Sequence, residues 1–189
     1  MRKTTYIAKI FIACCLSIAV SCTSNKTSEN KNIQENKSDT SAVSETESPD
    51  SELEVLDGWL KYDTDQQIII DKLGLPEKKD KEEYWGATGN YVQTWYYSIL
   101  GIELDMESDE KGDLKKTRNI TIKSPCKFKT SKGIGIGSDS KLIKETYSKL
   151  IDTTQSDSNY IVVGTIYWGT IFNLKNNIVE SIFIGAAAD

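Results

Sequence analysis

The chain has 189 residues, of which 38% are hydrophobic and 27% charged, and its formal net charge is −5. That length fits one domain of ordinary size with appendages. The sequence contains no His, which excludes His-based nucleophiles, His acid–base catalysis and His metal ligands. Its mild acidity supplies no basic face for a nucleic-acid partner.

Residues 1–21 have the composition of an export signal. They carry a net charge of +3, and the uncharged apolar run 10–20 is eleven residues long. A helix that spans a bilayer needs about 20 residues, so this run suits the hydrophobic region of a signal peptide. The run ends at Ala19-Val20-Ser21-Cys22. This resembles the lipobox of bacterial lipoproteins, although Leu is usual where Ala19 stands.

The lipobox resemblance implies that Cys22 is acylated and becomes the mature N-terminus, with the membrane as its first partner. One acyl chain binds a bilayer only marginally, whereas several chains anchor stably. Thr23 rather than Asp follows Cys22, and in proteobacterial lipoproteins, which this signal resembles, that implies the outer over the inner membrane. An ordinary cleaved signal, an uncleaved anchor and acylation at Cys14 stay open as alternatives.

Residues 22–54 form a second segment, with a net charge of −5. Their aliphatic residues are Ile33, Ala42, Val43 and Leu53, and they include no aromatic residue. Ordering a backbone costs about 1–2 kcal/mol per residue, and this segment has too little apolar surface to offset that cost. The composition predicts a disordered acidic tether with a reach of about 30 Å.

Residues 55–189 contain all four Trp and 15 of the 17 aromatic residues, enough for a single folded domain. The first helix is predicted from Asp63, as N-cap, to Leu73, because Gly74-Leu75-Pro76 then ends it. A second helix is predicted from Ser138, with apolar residues at helical spacing as far as Ile151.

The remaining segments are rich in β-branched and aromatic residues, which favour strands. The predicted strands are Glu82–Gly86, Tyr91–Tyr97, Gly101–Met106, Arg118–Lys123, Tyr160–Thr165, Ile166–Leu174 and Ile178–Gly185. Lys175-Asn176-Asn177 predicts a tight hairpin turn, since Asn tolerates positive φ.

Two halves, 55–123 and 124–189, each run from a helix to an aromatic strand and then a hairpin. The predicted fold class is α+β, with two helix-plus-antiparallel-hairpin units forming a sheet and the helices packed on one face. Chance similarity of amphipathic elements is the alternative to a true repeat.

Short motifs support a family resemblance over about 120 residues. Lys72-Leu73-Gly74-Leu75-Pro76, then Tyr84-Trp85, Trp95-Tyr96-Tyr97 and Gly101-Ile102 resemble the small helix–strand repeats of outer-membrane assembly-factor lipoproteins and β-lactamase-inhibitor-like proteins. The resemblance implies binding of proteins or peptides through the sheet face, without enzymatic activity. The resemblance assigns no binding residue of those families to a position in this sequence.

Three local features are interpreted as structural. The acidic stretch Asp105–Asp113 predicts a solvated hairpin tip, because an EF-hand loop would need Gly where Glu110 stands. Gly133–Gly137 has GxGxG rather than phosphate-loop spacing and predicts a close-packed turn. Cys126 is expected to be a buried thiol, with an exposed thiol as the alternative. No cofactor and no metal ligand are predicted.

The aromatic residues are the candidate ligand-binding set. Consecutive aromatic residues in a strand must place rings on both faces of a sheet, and Trp and Tyr are favoured in binding surfaces. The set is Tyr84, Trp85, Trp95, Tyr97, Tyr167 and Trp168. Packing of these rings in the core is the alternative interpretation.

The sequence therefore predicts a lipid-anchored protein of the bacterial cell envelope that binds without catalysis. Its expected partner is a protein, a peptide or a glycan, recognised through an aromatic-rich sheet face, and no catalytic residue is assigned. The alternatives are an envelope hydrolase that uses carboxylates, and a structural or inhibitor (immunity-like) lipoprotein.

Overall fold

A computed structural model describes residues 53–187. The predicted signal, Cys22 and almost all of the predicted tether lie outside the described residues. The elements are α1 (Gln66–Leu73), β1 (Lys78–Lys79), β2 (Glu83–Trp85), β3 (Asn90–Tyr97), β4 (Ile102–Ser108), β5 (Lys116–Lys123), α2 (Ser140–Thr146), β6 (Tyr160–Gly164), β7 (Gly169–Lys175) and β8 (Ile178–Gly185).

The strands form one antiparallel sheet in the order β1-β3-β4-β5-β8-β7-β6, with β2 also paired to β3. The predicted mixed α+β class is therefore confirmed: the domain has an eight-stranded sheet and two helices. None of the helices in residues 53–187 has the length and apolarity to cross a bilayer.

One face of the sheet, called the inner face, carries the core. One of its rows runs across six strands as Tyr97, Ile102, Ile122, Ile182, Phe172 and Ile161, and every member is at most 3% exposed. Ile69 of α1 and Ile143 of α2 belong to the same buried cluster. Burying each such side chain stabilises the fold by about 1.5–3 kcal/mol.

The opposite, outer face is half-exposed and more polar. On β4 the inward residues Ile102, Leu104 and Met106 are buried, while Glu103 and Asp105 point outward. The outer row that includes Glu103 continues through Tyr96, Thr121, Phe183 and Ile171. The sheet therefore separates an apolar core from a surface of mixed acidic and aromatic character.

Both helices are shorter than predicted. α1 begins at Gln66 with Asp65 as N-cap, so the assignment of Asp63 as N-cap is wrong. Asp63 instead has a φ of 60°, and its N–H donates to the carbonyl of Thr117 at 2.8 Å. α2 follows Asp139, whose carboxylate accepts from the N–H of Lys141 at 2.7 Å, and it ends at Thr146 rather than Ile151.

Most of the predicted strands are present with shifts of one or two residues. Ile178–Gly185 has the predicted bounds, and Asn176 and Asn177 both have positive φ, as the hairpin prediction requires. The strand predicted from Ile166 begins only at Gly169, because residues 165–168 form a turn. The two-residue strand β1 was not predicted.

Glu54, predicted as the last tether residue, belongs to the folded domain. It is 8% exposed, and its carboxylate accepts hydrogen bonds from the Tyr147 hydroxyl at 2.8 Å and the Ser131 N–H at 3.1 Å. The predicted boundary at residue 55 is corrected to a position before Glu54, because a buried carboxylate with these donors is part of the packing.

Gly101 offers a test of the packing at the β3–β4 turn. Its φ is 68°, and a Cβ there would overlap the Lys123 carbonyl and lie 2.9 Å from the Cys126 nitrogen. We expect Gly101→Ala to lower the free energy of unfolding by about 3 kcal/mol, from backbone strain and overpacking together. Urea denaturation measures this change.

The matched control is Gly112→Ala. Gly112 has a φ of 85°, but a Cβ there would meet no atom within 4 Å. Only the backbone cost of about 1–2 kcal/mol is expected. Equal losses for the two variants would contradict the packing described at Gly101.

Candidate functional site

A cleft of about 290 Å³ opens at one end of strands β3, β4 and β5. We call it the Arg118 cleft. Its lining includes Tyr62, Thr88, Asn90, Glu107, Arg118 and Trp168. These residues come from the loop before α1, the β2–β3 turn, three strands and the β6–β7 turn, so the cleft forms only when distant parts of the chain are folded together.

Arg118 is the central charged group of this cleft, and its side chain is 8% exposed. The guanidinium carbon lies 4.6 Å from the centroid of the Trp85 ring, and Nη1 lies 3.7 Å from a Glu107 carboxylate oxygen. Nη1 also donates to the Thr88 hydroxyl at 3.4 Å. A cation over an aromatic face is stabilised by the ring quadrupole, so Trp85 and Glu107 together hold Arg118 in place.

A β-bulge places Arg118 in this position. The register between β4 and β5 pairs Asp105 with Asn119 and then Met106 with Thr117, which leaves Arg118 as the extra residue. Bulges redirect side chains and are frequent next to binding sites. The side chain of Arg118 thereby reaches Glu107 on the outer face.

Trp168 and Tyr62 also line the cleft. Their ring centroids are 4.5 Å apart at 76°, an edge-to-face contact. The turn that carries Trp168 is closed by hydrogen bonds from its N–H to the Thr165 hydroxyl at 3.0 Å and the Thr165 carbonyl at 3.3 Å. Gly169 is required here, because a Cβ would overlap the carbonyls of Val163 and Thr165.

Glu107 is a partly buried carboxylate whose side chain is 19% exposed. Burial raises the pKa of Glu107, and the nearby Arg118 guanidinium only partly opposes this rise. The adjacent outward acid, Asp105, accepts from the Thr94 hydroxyl at 2.9 Å and the Asn119 amide at 3.2 Å. The cleft therefore offers aromatic surfaces, an ion pair and hydrogen-bonding groups, which suits binding by stacking and hydrogen bonds.

The structure brings two of the predicted ligand-binding residues together, one from each half of the domain. Trp85 contacts Arg118 and Trp168 lines the same cleft. Tyr167 is next to Trp168 and is 65% exposed. Tyr84 is 59% exposed but pairs with Tyr91 on the inner side of β3, 5.2 Å between ring centroids, and so lies apart from the cleft.

The assignment of Trp95 and Tyr97 to a ligand-binding face is corrected. Each ring is 1% exposed and belongs to the core, because the register of β3 turns odd-numbered residues inward. Trp95 donates to the Gln93 side chain at 2.9 Å and lies beneath the Lys79 ammonium at 3.7 Å. Burial raises the pKa of Tyr97 to about 12, and its hydroxyl donates to the Gly74 carbonyl at 3.1 Å.

Sequence reasoning missed Tyr62, Glu107 and Arg118 as members of the site. Side chains alternate between the inner and outer faces along β4, so the outward position of Glu107 could have been predicted from the sequence. That pattern could have placed Glu107 on the same face as the candidate aromatic residues. The β-bulge at Arg118 and the contact of Tyr62 with Trp168 depend on strand pairing far away in sequence, which no local pattern reveals.

A second and larger cavity, of about 630 Å³, lies at the other end of these strands. We call it the Trp59 groove; it is lined by Trp59, Leu73, Ile99, Leu100, Cys126 and Phe128, among others. The rings of Trp59 and Phe128 meet edge-to-face with centroids 6.0 Å apart. Cys126 is 5% exposed, which confirms the predicted buried thiol, and burial raises the pKa of that thiol.

Within residues 53–187, no three His, Cys, Asp or Glu side chains are grouped so that they could hold a metal ion. No protein-family model matches the sequence, and no curated protein or solved structure is detectably similar to it. The function is therefore inferred from the geometry of this chain.

The raised pKa of Glu107 predicts a pH-dependent effect of Glu107→Gln. A carboxyl group whose pKa is raised in the folded state favours folding when it is protonated. This stabilisation is fully present below the unfolded-state pKa, near 4.5, and is lost as the pH rises through the folded-state pKa. We therefore expect the free energy of unfolding of Glu107→Gln, relative to wild type, to increase as the pH rises from about 4 to about 7. Urea titrations at several pH values measure it.

Glu180→Gln is the control for this measurement. Glu180 is an exposed carboxylate on β8 that faces Lys175 at 3.5 Å. If both variants showed the same pH dependence relative to wild type, the assigned burial of the Glu107 carboxylate would be contradicted.

Proposed function

We propose that this chain is a lipid-anchored cell-envelope protein that recognises a protein, a peptide or a glycan through the outer face of its sheet. The role is binding rather than catalysis. The observation that carries the proposal is the Arg118 cleft, where Tyr62 and Trp168 line the same cavity as Arg118. The Arg118 guanidinium in turn contacts the Trp85 ring and Glu107.

The residue types in the cleft support a binding role. Trp, Tyr and Arg are the residues most enriched among those that dominate binding energy, and they act best in partly desolvated pockets. Aromatic contacts add about 0.5–1.5 kcal/mol beyond the area they bury. The charge of Glu107 is engaged by Arg118, which favours a positioning role for this carboxylate over acid–base chemistry.

We further propose that the sheet consists of two helix-plus-hairpin units with their helices on one face. The strand order β3-β4-β5-β8-β7-β6 supports this arrangement, because each half follows its own helix and the last strands of the two halves pair. Arg118 contacts Trp85 of its own half and shares the cleft with Trp168 of the other half. The resemblance to the helix–strand repeats of envelope lipoproteins points to the same sheet-face binding.

The cleft predicts which substitutions weaken partner capture. The bait is the chain from residue 22 with Cys22→Ser, immobilised and exposed to envelope extract and to a glycan array. We expect Trp168→Ala and Trp85→Ala each to weaken binding of the captured partner about tenfold or more, since an aromatic hot spot is worth about 2 kcal/mol.

Tyr84→Ala is the matched control, because Tyr84 is an exposed aromatic outside the cleft. Each variant is first checked for an unchanged melting temperature. A partner whose binding is equally sensitive to Tyr84→Ala, or insensitive to all three changes, would refute recognition by the Arg118 cleft.

The lipobox-like Ala19–Cys22 predicts acylation at one cysteine. In cells of the source organism, wild type is expected to partition into the detergent-rich phase of Triton X-114, and Cys22→Ser into the aqueous phase. Cys14→Ser is the control and is expected to behave as wild type. Detergent partitioning that survives Cys22→Ser would exclude the proposed anchor.

A further inference from the structure

We propose that the end of the domain that carries the Trp59 groove docks on an anionic phospholipid surface. This deepens the proposed function and rests on it, since the anchor at Cys22 is what brings the domain to a bilayer. The contact itself is a property of the folded domain, and it can be measured without the anchor.

Three large apolar side chains are exposed at this end. Ile99 is 77% exposed and Leu100 39% exposed in the β3–β4 turn, and Leu75 is 75% exposed just after α1. The segment after α1 is tied to the turn, because the Ser98 N–H donates to the Glu77 carboxylate and the Tyr97 hydroxyl donates to the Gly74 carbonyl. Apolar side chains that project from a turn can enter the headgroup region of a bilayer.

The same end is basic although the domain as a whole is acidic. The segment 123–132 contains four lysines and no acid, and all four lysines are exposed. Lys72, in the last turn of α1, adds a fifth positive charge beside the groove. The acids nearby are Glu54, Asp57, Asp71 and Glu77, of which Glu54 is buried and accepts hydrogen bonds from Ser131 and Tyr147. The five lysines therefore exceed the acids by one. Exposed lysines near a membrane are attracted by the negative potential of anionic lipids.

The Trp59 groove lies between the apolar and the basic side chains. Lys127 and Phe128 line it together with Ile99 and Leu100. The Lys72 ammonium lies 5.1 Å from the centroid of the Trp59 ring. Trp is favoured at membrane interfaces because its ring is apolar and its N–H is polar. An aromatic groove edged with lysines therefore complements a phosphate headgroup and the first methylenes of its acyl chain.

The path of the chain is consistent with docking of the Trp59 groove on the membrane and with a cleft that faces away from it. Asp57 lines the groove, and its N–H donates to the Lys129 carbonyl at 2.8 Å, so the chain enters the domain beside the basic segment. On β4, Ile102 borders the groove and Glu107 borders the Arg118 cleft. Five residues of strand separate these positions by about 17 Å. A domain docked through the groove would point the cleft away from the membrane.

The experiment uses the chain from residue 22 with Cys22→Ser, so that no acyl chain contributes. Binding is measured by flotation with vesicles of phosphatidylcholine alone and with vesicles that also contain phosphatidylglycerol. We expect at least tenfold stronger binding to the anionic vesicles, and weaker binding at high salt because the charges are exposed. No binding, or equal binding to both vesicles, would overturn the proposal in favour of a protein occupant of this end.

Paired variants separate the proposed contact from general effects. Lys127→Glu and Ile99→Ser are each expected to weaken vesicle binding about tenfold. Lys111→Glu and Leu114→Ser are the controls, because both residues are exposed in the hairpin at the opposite ends of β4 and β5. Melting temperatures confirm that all four variants fold. Controls that weaken binding as much as the test variants would overturn the proposal.

Quenching of tryptophan fluorescence by phospholipids with brominated acyl chains tests which end of the domain faces the membrane. Quenching on vesicle binding is expected to be lost in Trp59→Phe and retained in Trp168→Phe, and the reverse result would overturn the proposal. Detergent partitioning that depends on Cys22 with no vesicle binding would overturn the docking surface alone. Vesicle binding by a protein that is not acylated in cells would overturn the anchor alone.

Discussion

The pairing of β5 with β8 is the interaction on which the rest of the domain depends. Only four residue pairs join these strands, from Ile120 with Ile184 to Lys123 with Ser181. They connect the meander β3-β4-β5 to the meander β6-β7-β8, so that the inner rows continue across six strands and form one core. Each meander alone would have a small apolar face and an unpaired edge.

The Arg118 cleft is a consequence of the same pairing. Arg118 precedes Ile120 by two residues, and Ile184 pairs with both Ile120 and Thr170, which follows Trp168 by two residues. A shift of one residue between β5 and β8 would therefore move Arg118 away from Trp168, and would also turn the apolar residues of β8 to the outer face. Stability and the candidate site are set by one register.

Local patterns predicted much of the fold. Richness in β-branched and aromatic residues predicted most of the strands, and the tolerance of Asn for positive φ predicted the Asn176-Asn177 turn. The pattern could not show which face of β3 is covered, so Trp95 and Tyr97 were grouped with Trp85 although they are core residues. It also missed the bulge at Arg118, because a bulge is a relation between two strands. The sequence around Asp63 is typical of a helix N-cap, yet the Asp63 N–H donates to the carbonyl of Thr117 in β5. This tertiary hydrogen bond overrides the local capping pattern.

The placement of the groove and the cleft at opposite ends of β3, β4 and β5 has a mechanical consequence. If the membrane holds one end and a partner pulls at the other, the force runs along these strands. The ladder hydrogen bonds of an antiparallel pair lie perpendicular to the strands, so this pull loads them together in shear instead of opening them one after another. In the proposed arrangement, the sheet would be oriented to resist tension between the membrane and a partner bound in the cleft.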